Sequence, residues 1–313
     1  MSGPENPAAT ALIGHEAEKA LFRQALESGR LHHGWMIHGD SGIGKTSFAF
    51  DCARVLLNGT DRQSRGGRQI TAGTHPNLLL ITRRMDEKRK RMRQEIVVDD
   101  VRPVQDFLHH TAADGSWRVV IVDAAETLNR NAANALLKLL EEPPTDTVFF
   151  LTCPAPSALL PTIRSRCRLL GLAPLTTEQT AAVLKAQGRS VAELQSLVAQ
   201  AHGAPGRILS ADQGTDRAAR DLATALLATG ETPVSDSLAA FLRHDDGFAV
   251  LCSLLGEGLA DRARTLAGQG KLAEASQAAE AFSALQALQR ETERFNLDKN
   301  QAVRQAAAIA SAP

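Results

Sequence analysis

A chain of 313 residues, 43% hydrophobic and 22% charged, has the make-up of a globular protein of about two or three domains. Its 35 basic residues are balanced by 35 acidic ones, which excludes a chain that is basic throughout, so any nucleic-acid contact has to come from a local patch. No apolar run approaches the roughly 20 residues of a membrane-spanning helix, and the N-terminus lacks the basic-then-apolar order of a secretory signal.

A cytoplasmic protein without membrane contact is therefore expected. The four cysteines, Cys52, Cys153, Cys167 and Cys252, include no C-x-x-C pair and read as isolated thiols.

In chain order, residues 1–10 are polar and Pro/Ala-rich, a frayed lead-in. A helical pattern runs from Glu16 to about Ser28, with Ala20, Leu21, Phe22, Ala25 and Leu26 as its apolar face. The strand "WMIH" (35–38) then enters a glycine loop and a helix from Lys45 to about Leu57. "NLLLI" (77–81) is the next strand, after the turn "GTHP". Residues 83–93, "RRMDEKRKRMR", form a charged break with seven basic residues against Asp86 and Glu87. It reads as a solvated loop or as a contact to DNA phosphates or an acidic partner, sequence-blind because no aromatic is interleaved.

"VDDVRPVQDFLHH" (98–110) is a helix opened by aspartates, with Pro103 confining its regular part to the first turn onward. "RVVIVD" (118–123) is a buried strand, and "NAANALLKLLEE" (131–142) a helix stopped by Pro143 and Pro144. The stripe of that helix, Ala133, Leu136, Leu137 and Leu140, packs on the sheet. "TVFFLT" (147–152) and "RLLGL" (168–172) complete the strands, and beyond "LAPL" only helical periodicity remains, broken at "HGAPGR" (202–207). The fold class is α/β with a mainly parallel sheet, followed by a small helical domain and a larger helical tail.

"GDSGIGKT", Gly39 to Thr46, fits G-x-x-x-x-G-K-[ST] and stands between a strand and a helix, where a phosphate loop belongs. Gly42 and Gly44 let successive main-chain N–H groups turn inward around a phosphate, at the positive end of the next helix. Lys45 is the point charge for the outer phosphates and Thr46 a hydroxyl ligand for Mg²⁺, so ATP or ADP with Mg²⁺ is the expected cofactor. Asp123 ends a buried strand and supplies the second half of a Mg²⁺ site.

Ala124 stands where many nucleotide hydrolases carry a water-activating carboxylate, so binding is expected and turnover doubtful. Glu126, three residues past Asp123, either swings toward the site or is a solvated loop acid. The pairs His32–His33 and His109–His110 make no natural bidentate site, since adjacent helical residues diverge by about 100°.

Three separated stretches then converge: "GHEAEKALFRQALESGRLHHGWMIHGDSGIGKT", "NRNAANALLKLLEEPP" and "TIRSRCRLLGLAPL". Over about residues 12–210 the chain resembles the bacterial clamp-loader ATPases of the AAA+ superfamily, in particular the delta-prime-like subunits of DNA polymerase III. The resemblance implies a RecA-like AAA+ domain over residues 1–172, a helical lid over 173–212 and a helical collar for oligomerisation over 213–313.

It implies, as partners, gamma/tau-like and delta-like loader subunits, the sliding clamp, and primer–template DNA gripped by its backbone. Arg166 of "SRC" matches the arginine that this family directs at a neighbour's ATP, the alternative being an intrachain salt-bridge partner, and Arg164 and Arg168 are read as flanking structural charges. Arg207 of "GAPGR" matches the lid arginine that senses the subunit's own γ-phosphate. The family's polar sensor falls near Thr152 in "LTCPAP", and its role stays open. Many relatives carry a four-cysteine zinc module after the phosphate-loop helix; residues 59–75 hold no cysteine, so no zinc is expected. The resulting expectation is an accessory loader subunit that holds ATP and lends Arg166 to a neighbour. The alternatives are a hydrolysing motor subunit of the same loader, or a P-loop small-molecule kinase.

Overall fold

In the computed structural model, which describes residues 8–9, 11–86, 91–109, 117–210, 222–227, 247–295 and 297–311, the apolar runs of the first half line up as one parallel sheet. Its strands are β1 (Gly34–His38), β2 (Leu78–Ile81), β5 (Arg118–Val122), β6 (Thr147–Cys153) and β7 (Arg168–Gly171), in the order β2-β5-β6-β1-β7. Every neighbouring pair is parallel. Continuous apolar strands suit a sheet covered on both faces, and β5 and β6 are buried at every position. Side chains alternate between two cores. Trp35, Ile37, Ile121 and Phe150 join Phe22 and Phe48 on one face. Met36, Val120, Phe149 and Leu151 join Val101, Leu136 and Leu140 on the other.

Helices α1 (Glu16–Glu27), α2 (Lys45–Leu56) and α3 (Arg65–Ala72) cover the first face, and α4 (Val98–His109) and α5 (Arg130–Glu141) the second. Asn129 caps α5 by accepting from the Ala132 N–H at 2.9 Å, and the two prolines after Glu142 stop it. Four local readings need correction. The inward side of α1 is Lys19, Phe22 and Ala25, while Ala20 and Leu21 are exposed, because the Lys19 ammonium is held by the Leu12 carbonyl and Glu16. The stretch after α2 contains α3, opened by the Ser64 hydroxyl and closed by Gly73 in the left-handed region.

The charged break holds a short antiparallel hairpin, β3 (Met85–Asp86) with β4 (Arg91–Met92). Helix α4 runs on both sides of Pro103, starting at Val98.

The chain divides into two compact units, Met1–Leu209 and Ser210–Pro313. The first unit also contains α6 (Pro161–Arg164), α7 (Thr177–Ala186), α8 (Val191–Ala201) and all but the last residue of α9 (Gly206–Ser210). The last three helices pack around Leu184, Ala201 and Ile208. A capping box between Thr176 and Gln179 starts α7 right after the last strand segment. In the second unit α10 (Gly247–Gly268), α11 (Leu272–Phe295) and α12 (Lys299–Ala310), with helical residues 222–227, bury Leu226, Leu251, Leu255, Leu285 and Ala306. Among the described residues no helix is long and apolar enough to cross a membrane. The expected boundary at 212–213, residues 1–7 of the lead-in, residues 87–90 of the basic run and His110 lie outside the described residues.

Candidate functional site

The site grows from the C-terminal end of β1, where the chain leaves the sheet with β6 on one side and β7 on the other. Open parallel sheets offer their crevice at such a reversal of strand order. Gly44 starts α2 with φ of 97°, a left-handed geometry that a side chain disfavours, and so leaves the first N–H groups of α2 facing the loop interior. Lys45 folds back and donates from Nζ to the carbonyls of Gly39 (2.7 Å) and Asp40 (2.8 Å), closing the loop into a ring. Burial lowers the Lys45 pKa, an effect that Glu126, Cys153, Asp123 and Asp40 partly oppose. An ammonium so placed gains from any further anion. His15, itself left-handed at φ of 59°, ties the lead-in to the loop through a 3.0 Å contact from Nε2 to the Ile43 carbonyl.

Opposite the loop, Asp123 follows β5 and is fixed by its own N–H to the Ile81 carbonyl at 2.8 Å. Its Oδ1 accepts from the Thr46 hydroxyl (2.5 Å) and from the Thr152 hydroxyl (2.8 Å). The Thr152 oxygen in turn accepts from the Ala124 N–H at 2.9 Å. Thr152 is 1% exposed, and its hydroxyl donates to Asp123 while accepting from the backbone after it.

Ala124 turns left-handed at φ of 55° and opens the short 3-10 turn Ala125–Thr127. That turn carries Glu126 to the wall of the same cavity, more than a third of the residue remaining exposed. Burial of its carboxyl raises the Glu126 pKa; its own N–H and Lys45 act the other way.

The cavity between the glycine loop, the strand ends and the helices after β7 encloses about 360 Å³. Its wall includes the polar Lys45, Thr46, Asp123 and Glu126 and the apolar Leu12, Ile13, Leu175, Val183 and Leu209. Leu12 and Ile13 were missed in the sequence, where an apolar pair ahead of a helix gave no sign that it would wall a pocket. Helix α9 approaches the loop through Gly206, whose N–H donates to the Gly42 carbonyl at 2.9 Å. Gly42 has no room for a side chain: a Cβ there would lie 2.6 Å from the Arg207 nitrogen. Arg207 itself flanks Gly42 and does not belong to the cavity wall, which takes Pro205, Gly206 and Leu209 from this segment.

Arg166 lies elsewhere, between α6 and β7. Its Nη2 pairs with Glu141 Oε1 at 2.8 Å, and its Nη1 donates to the Thr162 carbonyl (3.0 Å) and Ser165 Oγ (3.2 Å). Arg164 closes α6, and Arg168 lies over the Trp35 ring at 5.0 Å from its centroid. In the basic run, Arg84 and Arg93 reach the buried Asp100 at 3.1 and 3.9 Å, so these two charges brace the hairpin against α4. Cys52, Cys153 and Cys167 are free thiols, and Cys52, Cys153 and Cys252 are buried. Burial pushes the Cys153 thiol up to about 11 and the Cys167 thiol up to about 12.

Comparison with known proteins adds an independent view. A family model described as DNA polymerase III, delta subunit, matches residues 14–176. DNA polymerase III subunit delta′ of Pseudomonas aeruginosa is 38% identical over 156 residues, 48% of this chain and 46% of that protein. Its counterpart in Escherichia coli K12 is 36% identical over 237 residues, 72% of this chain and 69% of that protein. DNA polymerase III subunit tau of the same Escherichia coli strain is 32% identical over 178 residues, 54% of this chain and 26% of that protein. The matched stretch thus spans about half the length of the Pseudomonas relative.

Proposed function

Because the chain belongs to the DNA polymerase III delta-subunit family, we propose that it works as a delta-prime-like subunit of a cytoplasmic clamp loader, holding ATP in its own site and completing a neighbour's. On this reading residues 1–172 form the nucleotide domain, 173–212 the lid and 213–313 the collar. The partners are gamma/tau-like and delta-like subunits, a sliding clamp, and primer–template DNA contacted along its backbone.

The residues present fit a Mg²⁺-nucleotide. Lys45 holds the loop closed, so the N–H groups after Gly42 can receive phosphate oxygens, and the apolar side chains in the cavity wall suit a base. Thr46 and Asp123 are adjacent oxygen donors of the kind Mg²⁺ takes. Thr46 and Asp123 would hold the metal, which would supply positive charge to offset that of the phosphates. Gly206, Pro205 and Leu209 close the cavity from the lid side. Arg207, beside Gly42, senses the phosphates through the loop it packs on.

The observation that carries the division of labour is Ala124, which lines the cavity next to Asp123 with a methyl group where water activation needs a base. Hydrolysis in this subunit is therefore weak, and Arg166 acts across the subunit boundary, where a permanently charged planar fork suits phosphate oxygens. Such fingers contribute about 10³–10⁵ in rate. Glu126, on the same cavity wall, favours a second reading as a hydrolysing motor.

The test is DNA- and clamp-stimulated ATPase of the reconstituted loader with Lys45→Ala or Arg166→Ala in this chain, beside ATPase of the isolated chain. The proposal expects Arg166→Ala to remove much of the turnover, Lys45→Ala little, and the isolated chain to be nearly inactive. Robust turnover by the isolated chain that Lys45→Ala abolishes makes it a motor.

A further inference from the structure

Two segments that the sequence keeps far apart meet at Arg166. Helix α5 ends at Glu141, ahead of Pro143 and Pro144, and α6 ends at Arg164, two residues before the arginine. The meeting is tight on the main-chain side: a Cβ on Gly34, at the start of β1, would lie 2.8 Å from the Arg166 carbonyl oxygen. The side chain is fixed as well. Of the five N–H groups of a guanidinium, three are engaged by Glu141, the Thr162 carbonyl and Ser165 Oγ, at 2.8, 3.0 and 3.2 Å.

We infer that Glu141 is a positioning residue for Arg166, holding the guanidinium in one orientation before a neighbouring subunit docks. The inference rests on the trans-arginine reading above. The pair is too exposed to matter much for folding, with 36% of the arginine and 42% of the glutamate side chain open to solvent. Exposed ion pairs contribute little stability because water and salt screen them. Holding an arginine still has a different consequence.

A long side chain that must reach a phosphate across a boundary loses rotamer freedom when it binds, and that loss is smaller if the rotamer is already selected. Thr162 and Ser165 hold only one guanidinium nitrogen, so the plane can still swing about it; Glu141 takes the second and fixes the plane. Two N–H groups are left over for phosphate oxygens, and the delocalised charge stays available to them.

The experiment compares the reconstituted loader carrying wild-type chain, Glu141→Ala, Glu141→Gln, Arg166→Ala and the Glu141→Ala/Arg166→Ala pair, measuring kcat and the KM for ATP with clamp and primed DNA. A misplacement of about 1 Å can cost on the order of 100-fold in rate. With Thr162 and Ser165 still in place, Glu141→Ala is expected to lower the Arg166-dependent kcat by about 3- to 10-fold at unchanged KM. Glu141→Gln, which keeps an oxygen acceptor, recovers most of that loss, and in the Arg166→Ala background Glu141→Ala has no further effect. Unchanged or raised turnover in Glu141→Ala, or an added loss on top of Arg166→Ala, overturns the inference and leaves the trans arginine standing. An Arg166→Ala loader with full turnover fails the underlying reading, and the inference with it. A Glu141→Ala chain that does not fold leaves Glu141→Gln to decide: with its charge gone and its acceptor kept, it must retain most of the Arg166-dependent kcat, and a Gln chain as slow as Arg166→Ala overturns the inference.

Discussion

Gly206 donates its main-chain N–H to the carbonyl of Gly42 at 2.9 Å, so α9 and the glycine loop meet backbone to backbone. Neither residue tolerates a side chain: a Cβ on Gly206 would lie 2.8 Å from the Gly42 Cα and oxygen, and one on Gly42 2.6 Å from the Arg207 nitrogen. The contact couples α9 to the glycine loop.

Gly206→Ala is expected to push α9 off the loop at a cost of about 1–3 kcal/mol to the packing of α9, as for other overpacked contacts. Hydrogen exchange should then show faster exchange in α9 with β1 and β6 unaffected. Equal protection of α9 in the two proteins would mean that the contact carries no such coupling.

Arg54 is 2% exposed and donates to four acceptors: the carbonyls of Ala8, Gly59 and Gly67, at 2.8, 3.3 and 3.1 Å, and the Thr71 hydroxyl at 2.8 Å. It cross-links the lead-in, the loop after α2, and α3. Arg54→Met removes all four bonds, leaving the Ala8 carbonyl to Arg62 and the Gly67 carbonyl to the Thr71 hydroxyl, and a loss of about 3 kcal/mol is expected from charge-assisted bonds of this number. Both tryptophans, Trp35 and Trp117, lie in the first unit, so their fluorescence in a urea titration reads that unit alone.

His33 and His38 both have pKa values lowered below 6.5, first by burial, then by His32 and by Lys45 respectively. As pH falls through 6.5 the unfolded chain takes up protons that the folded chain refuses. Stability is therefore expected to fall as the solution is acidified below that value. His33→Gln should flatten this dependence; an unchanged slope in urea midpoints taken on either side of pH 6.5 would rule His33 out as a source.

Thr152→Val removes the 2.8 Å donor to Asp123 and the 2.9 Å acceptor of the Ala124 N–H, both in a buried setting. A loss of about 2 kcal/mol in stability is expected. Nucleotide affinity measured by calorimetry with and without Mg²⁺ should fall more in its presence, because Asp123 loses its orientation. Equal losses in the two titrations would show that Thr152 supports the fold only.

Much of the frame was legible in the residues. The β-branched runs ending in Asp123, the glycine loop before Lys45, and the proline stop after "LLEE" each act over a few residues, so pattern and local sterics suffice to read them. Helix α3 was missed although Ser64 and Gly73 are ordinary cap residues, because its short apolar pattern, centred on Ile70, is too brief to show a period. The inward Lys19 was also hidden, since its burial depends on a carbonyl seven residues away that only the folded lead-in presents.

What the sequence alone determined, then, is the α/β order, the glycine loop before Lys45, and Ala124 next to Asp123, all properties of contiguous residues. What only the tertiary structure decided is which side chains share a surface. Thr152 reached Asp123 because β6 lies beside β5, and Glu141 reached Arg166 because α5 and α6 end at the same place. Gly206 met Gly42 because α9 packs back on the loop. Such contacts join residues dozens or more positions apart, and one chain's periodicity holds no record of distances across it.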